Sequence, residues 1–123
     1  MSKVDKLRVP DYLDHIAQAI MRIARYTEDM HEIAFLADER TQDAVIRNLE
    51  IIGEACRNIK RHHPGLLSEH PEISWDSAYE MRNALSHGYF KVDLEIVWNT
   101  IQYDLPELEQ QILRLWQQLK NRT

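Results

Sequence analysis

Arg82, Asn83, His87 and Tyr89 fall within one short run, Arg82, Asn83, Ala84, Leu85, Ser86, His87, Gly88, Tyr89, Phe90. Cutting RNA without a metal needs few parts, and these side-chain types are among them. A base must take the proton from a ribose 2′-OH, and an acid must protonate the leaving 5′-oxygen. A fixed cation must meet the charge that develops on the phosphorane. Histidine titrates near neutrality and can serve either proton role. The planar guanidinium of arginine matches phosphate oxygens and keeps its charge at every working pH.

Spacing limits how these groups can cooperate. Arg82 and His87 are five residues apart, about 140° around an ideal helix. They share a face only if the helix ends or loosens near His87, which Gly88 favours. Asn83 and His87, four apart, do share a face, so Asn83 can orient the imidazole or contact phosphate. One copy of the run supplies a single histidine, whereas acid–base cleavage wants two proton-handling groups. Two copies paired across a symmetric cleft supply both, so the chemistry predicts a homodimer with an interfacial site. Taken alone, Arg-x4-His arises easily by chance, and a solvated helix end with a capping histidine accounts for it more readily than a site does.

Helices must position this run. A first helix is expected to start near Asp11, just after Pro10, with Leu13, Ile16, Ala17, Ile20, Ile23 and Ala24 at the spacing of one buried face. That helix is expected to run through Tyr26 and fray before Phe35. A polar restart at residues 38–41 leads into Val45, Leu49, Ile52, Cys56 and Ile59. Ala44, Ile51 and Ala55 widen this stripe, as suits a helix central in a bundle. Gly53 within it points to a close helix contact. Residues 62–73, with Pro64, Gly65 and Pro71, read as a loop. Ser74 then reads as the N-cap of a third helix that begins at Trp75 and stops at Gly88. From Leu94 through Val97, Trp98, Ile101, Leu105, Leu108, Ile112, Leu115 and Leu119 the apolar residues keep three–four spacing. Asp104 and Glu107 read as a capping box around Pro106, giving two helices or one sharply kinked one. No strand-like alternation stands out. The expected fold is an all-α bundle of four to five helices, a single domain over residues 1–123.

Bulk properties agree. The chain has 123 residues, 44% of them hydrophobic and 28% charged, enough for one core and a soluble surface. With 3 Gly and 4 Pro it favours long helices. One cysteine, Cys56, excludes an internal disulfide framework and suits a reducing cytoplasm. No signal-peptide pattern is visible, and no apolar run approaches a membrane span. The net charge of −5 leaves open both a locally basic RNA site and a life spent held by a partner.

The run Arg82-x4-His87-x-Tyr89 resembles the signature of HEPN-domain toxins of the HepT kind. The likeness extends to Asn48, Leu49, Glu50, Ile51, Ile52, Gly53, Glu54 and Ala55, to residues 71–75, and to Gly88, Tyr89 and Phe90 followed by residues 92–98. Asp104, Leu105, Pro106, Glu107 and Leu108 extend it further. The resemblance implies a HEPN-type bundle that dimerises and cleaves RNA without metal or cofactor, leaving a 2′,3′-cyclic phosphate. It implies catalytic roles for Arg82 and His87, with Asn83 supporting. It also implies a type VII toxin–antitoxin pair. The antitoxin there is a nucleotidyltransferase of the MntA kind, which transfers AMP from ATP to the motif tyrosine, here Tyr89. Neither DNA nor a membrane is an expected partner. The alternative is a non-catalytic HEPN module whose same residues hold a nucleotide or a nucleotidyltransferase partner.

Other groups have competing explanations. Arg57, Lys60, Arg61, His62 and His63 could track RNA phosphates, or could simply be cations placed well at a helix C-terminus. His62, His63 and His70 match no standard zinc spacing, and Glu28-x-x-His31 is only half of a di-iron pattern. Trp75, Tyr79, Trp98 and Trp116 could stack on bases, but they continue apolar stripes and read as packing. Glu54 lies beside the second stripe with no partner evident from sequence. Cys56 lies on that stripe and reads as buried.

Overall fold

In the computed structural model the described residues are 8–75 and 93–121, and every regular element among them is helical. They form α1 (Val9–Thr27), α2 (Glu32–Leu36), α3 (Glu39–His62), α4 (Pro64–Glu69), α5 (Leu94–Asn99), a π-helical turn (Thr100–Asp104) and α6 (Leu105–Asn121).

α1 begins two residues earlier than the apolar spacing suggests. Pro10 fits the first turn, where its missing N–H costs nothing. The Asp11 carboxylate accepts the Arg8 backbone N–H at 3.3 Å. Leu13, Ile16, Ile20 and Ile23 form the buried face as expected, joined by Tyr12, Ala19 and Thr27. Ala24 is exposed rather than buried, because the face drifts toward Thr27 at the helix end. The Thr27 hydroxyl donates to the Ile23 carbonyl at 2.8 Å. The helix ends as Glu28 turns extended, and Asp29 then takes a left-handed conformation, φ 67, which a short polar side chain tolerates.

The segment expected only to fray contains a single helical turn, α2. Its Phe35 is wholly buried and meets Trp98 of α5 at a ring-centroid distance of 5.3 Å. Asp38 is the N-cap of α3. Its carboxylate accepts the Thr41 backbone N–H at 3.1 Å and the Thr41 hydroxyl at 2.9 Å. Along α3, Val45, Leu49, Ile52, Ala55, Cys56 and Ile59 are buried, and so is Gly53. Residues 62–73 are not a bare loop, because Pro64 starts α4. Proline and glycine read as breakers here, yet Pro64 occupies the first turn, where it is compatible with a helix.

α1 packs against α3 and α6, while α2 bridges α3 and α5. The Tyr12–His63 ring contact pairs the start of α1 with the C-cap of α3, and the Arg22–Asn48 hydrogen bond pairs the later part of α1 with the first half of α3, so these two helices run antiparallel.

α5 and α6 form one continuous helical path, and Asp104 is not an N-cap but lies inside the π turn. Pro106 explains this. It has no N–H to donate to the Gln102 carbonyl, and its ring crowds that carbonyl. The ladder upstream widens instead, with the Leu105 N–H reaching Thr100, five residues back. Ile101, Leu105, Leu108, Ile112 and Leu115 stay on the buried side across the wide turn.

Ile112 is fully buried, and its truncation to alanine is expected to cost about 2–5 kcal/mol by denaturant unfolding. A cost below about 1 kcal/mol would show that the α6 seam is not part of the core. The Asp38 carboxyl is held below its ordinary value, chiefly by the Thr41 backbone N–H and then by the Thr41 hydroxyl. Its stabilising contribution is therefore present above the ordinary carboxylate range and is lost as pH falls through the lowered value. Asp38→Asn is expected to flatten the acid limb of a Tm-against-pH curve, and an unchanged limb would contradict this.

Candidate active site

The run expected to carry the chemistry is flanked on both sides by residues tied into the bundle. Arg82, Asn83, His87 and Tyr89 lie outside the described residues, as do Tyr79 and the expected helix stop at Gly88. On the leading side, Ile73 and Trp75 are buried. The Trp75 indole N–H donates to the His70 carbonyl at 3.1 Å, so the ring is fixed in orientation as well as depth. The Ser74 backbone N–H donates to Oε1 of Gln111 on α6 at 3.2 Å. Trp75 is already helical, consistent with Ser74 as N-cap; the amides that such a cap would hold lie outside the described residues. On the trailing side, Asp93 caps α5, its Oδ1 accepting the Glu95 and Ile96 backbone N–H groups at 3.0 and 3.2 Å. One turn later Val97 and Trp98 enter the core.

His70 does more than accept from the indole. Its Nδ1 lies 3.2 Å from Oε2 of Glu72. The Glu72 carboxyl is held below its ordinary value, first by its own backbone N–H and then by His70. This short network stabilises the turn that leads into Trp75.

The basic end of α3 divides into separate roles. Arg57 pairs with Glu54 at 3.4 Å, both side chains being over a third exposed, and such pairs contribute little. Lys60, Arg61 and His62 occupy the last turn of α3, where the helix dipole favours cations. His63 caps the helix and meets the Tyr12 ring edge-on at 6.2 Å. Placement at the helix end is therefore the role that the geometry accounts for.

Among the described residues no group of three or more His, Cys, Asp or Glu side chains is arranged to hold a metal ion. Glu28 and His31 are exposed at the ends of α1 and α2. Trp75 and Trp98 are core residues, and Trp116 is half-buried beneath the Lys120 ammonium at 4.5 Å. Cys56 is buried, and burial pushes its thiol up to about 12, so it is inert as a nucleophile at neutral pH.

Two features escaped the sequence reading. Asn48 is a buried polar residue. Its Oδ1 accepts from Arg22 Nε at 2.7 Å and its amide donates to the Ala44 carbonyl at 2.8 Å. The signal was available, since Asn48 neighbours the apolar stripe, but an asparagine there has no partner until α1 is placed. The second feature is a groove of about 280 Å³ between α1 and the π turn, floored by Ile20, Ile23, Ile101 and Leu105. Glu28 and Glu109 also line it, and carboxylates repel phosphate, so it is a poor place for RNA.

A family model described as Ribonuclease HepT-like matches residues 16–115, which contain both flanking anchors and the whole run. The chain belongs to the HepT-like family. Its fold is accordingly the all-α HEPN type. The family relatives include a protein from Thermococcus cleftensis named "Probable ribonuclease HepT", 46% identical over 80% of this chain and 87% of its own length. One from Methanocaldococcus jannaschii, named "Gamma-glutamylcyclotransferase and putative RNase", is 39% identical over 88% of this chain and 47% of its own length. Another from the same organism, named "Putative RNase", is 35% identical over 85% of this chain and 88% of its own length. No solved structure matches the chain. No helix among the described residues is long and apolar enough to cross a membrane.

Proposed function

We propose that this chain is a metal-independent endoribonuclease, the toxin of a type VII toxin–antitoxin pair, acting in the cytoplasm as a single-domain homodimer. The observation that carries the reading is the intact Arg82-x4-His87-x-Tyr89 run inside the region matched by the HepT-like family. The ribonuclease names of the relatives support RNA as the substrate class.

The chemistry follows from the side chains. A neutral His87 takes the proton from a ribose 2′-OH, and that oxygen attacks the adjacent phosphorus. The bond from phosphorus to the 5′-oxygen breaks, leaving a 2′,3′-cyclic phosphate. The departing oxygen takes a proton from the second imidazolium, His87 of the other copy. Arg82 meets the charge on the equatorial phosphorane oxygens through its paired N–H groups. Asn83, one turn before His87, holds the ring in a productive orientation.

Tyr89 is the regulatory position. An MntA-like nucleotidyltransferase places AMP on its phenol oxygen, breaking the bond between the α- and β-phosphates of ATP and releasing pyrophosphate. The added phosphate brings negative charge and bulk beside Arg82 and His87, which repels substrate phosphate.

Incubating the unmodified protein with total RNA in EDTA is expected to give cleavage with cyclic-phosphate ends, abolished in His87→Ala. Intact RNA from a folded dimer free of AMP would instead favour the non-catalytic module that binds nucleotide or a nucleotidyltransferase. With ATP and the cognate transferase, the protein is expected to gain mass in whole AMP units and lose nuclease activity. Tyr89→Phe should gain no mass, and modification of that variant would place the acceptor elsewhere.

A further inference from the structure

The start of the segment that carries the motif is held by a residue 37 positions away in sequence. A helix N-cap leaves its own backbone N–H needing an acceptor. In a capping box that acceptor is a Glu or Gln three residues further on. Counting from Ser74, that position is Ser77, which is neither Glu nor Gln. The acceptor comes instead from α6, where Gln111 Oε1 takes the Ser74 N–H at 3.2 Å. Gln111 is half-buried and directly precedes the fully buried Ile112, so its backbone is fixed by the core. Ser74 is flanked by buried Ile73 and Trp75, and the Trp75 indole is bonded to the His70 carbonyl. Three consecutive residues are thus fixed in depth and in rotation. The sequence expectation of a helix from Trp75 places Arg82 seven residues on, two turns along the same face. An error in rotation at the anchor would be carried to Arg82 undiminished.

We infer that Gln111 is a positioning residue: an acceptor supplied from the last helix that fixes Ser74, and through it the start of the segment bearing Arg82 and His87. This rests on the ribonuclease reading only for its kinetic consequence, since the structural consequence can be measured by itself. Gln111 touches no substrate and acts through Ser74. Its loss leaves the Ser74 N–H without its acceptor.

The test compares Gln111→Leu, which removes the acceptor, with Gln111→Glu, which keeps one. In single-turnover cleavage, Gln111→Leu is expected to lower the rate constant at saturating RNA about fivefold or more, the scale of one lost hydrogen bond, with little change in the RNA concentration giving half-maximal rate. Gln111→Glu should stay within about twofold of the parent. Amide exchange followed by mass spectrometry should accelerate in peptides covering residues 74–90 of Gln111→Leu while those covering α1 and α3 are unchanged. Parent-like cleavage and exchange in Gln111→Leu would overturn the assignment. So would uniform acceleration across all peptides, which would mark Gln111 as a general stabiliser. If the parent protein cuts no RNA, the ribonuclease reading fails, and the local exchange difference alone decides the role of Gln111.

Discussion

The antiparallel contact between α1 and α3 is the constraint on which the other elements depend. Ile16, Ile20 and Ile23 on one helix and Val45, Leu49, Ile52, Cys56 and Ile59 on the other are removed almost entirely from water. Each buried side chain of this size is worth about 1.5–3 kcal/mol relative to exposure, so the seam dominates every surface ion pair in the molecule. Apolar packing alone tolerates sliding by one turn. The Arg22–Asn48 hydrogen bond discriminates against that, because a shifted register would leave the buried Asn48 amide without its arginine. Register at this seam then fixes where α3 ends, where α4 begins, and where the chain delivers His70 and Trp75.

The second control is Pro106. A regular α-helix through this position would leave the Gln102 carbonyl facing a residue with no N–H. Widening to a π turn solves this without breaking the path, and α6 continues against α1 with Leu105, Leu108 and Ile112 inward. The same placement brings Gln111 to Ser74. A backbone accommodation near residue 104 is thereby linked to the start of the motif segment, through a helix that contains none of the motif residues.

The helices were legible because their apolar stripes are long and regular. Val45 through Ile59 and Leu105 through Leu115 can be placed by period alone, and Asp38 announces its cap. Short elements were not legible. α2 is one turn built around Phe35, whose reason for burial is Trp98, sixty-three residues away. α4 was hidden by Pro64 and Gly65, which read as breakers although a proline is at home in a first turn. Asp104 misled for a related reason: local capping grammar fitted, yet continuous packing of Ile101 and Leu105 on α1 overrode it. For the site the balance reverses. Arg82, Asn83, His87 and Tyr89 are visible in the sequence as a chemical set and lie outside the described residues, whereas the bonds of Gln111 to Ser74, of Trp75 to His70 and of Arg22 to Asn48 emerge only from the fold.

The distribution of charge follows the same division. A chain of net charge −5 repels a polyanion at long range, so an RNA-cutting site must draw on local cations. Lys60, Arg61 and His62 sit where a helix dipole already favours them, and their placement costs the fold nothing. Four of the acidic side chains have structural places of their own, Glu28 and Glu109 around an apolar groove and Asp38 and Asp93 as helix caps. Caps need anions and phosphate needs cations, and a helical bundle offers opposite ends of its helices for the two. A small acidic protein can therefore place carboxylates at helix N-termini and keep its cations at helix C-termini.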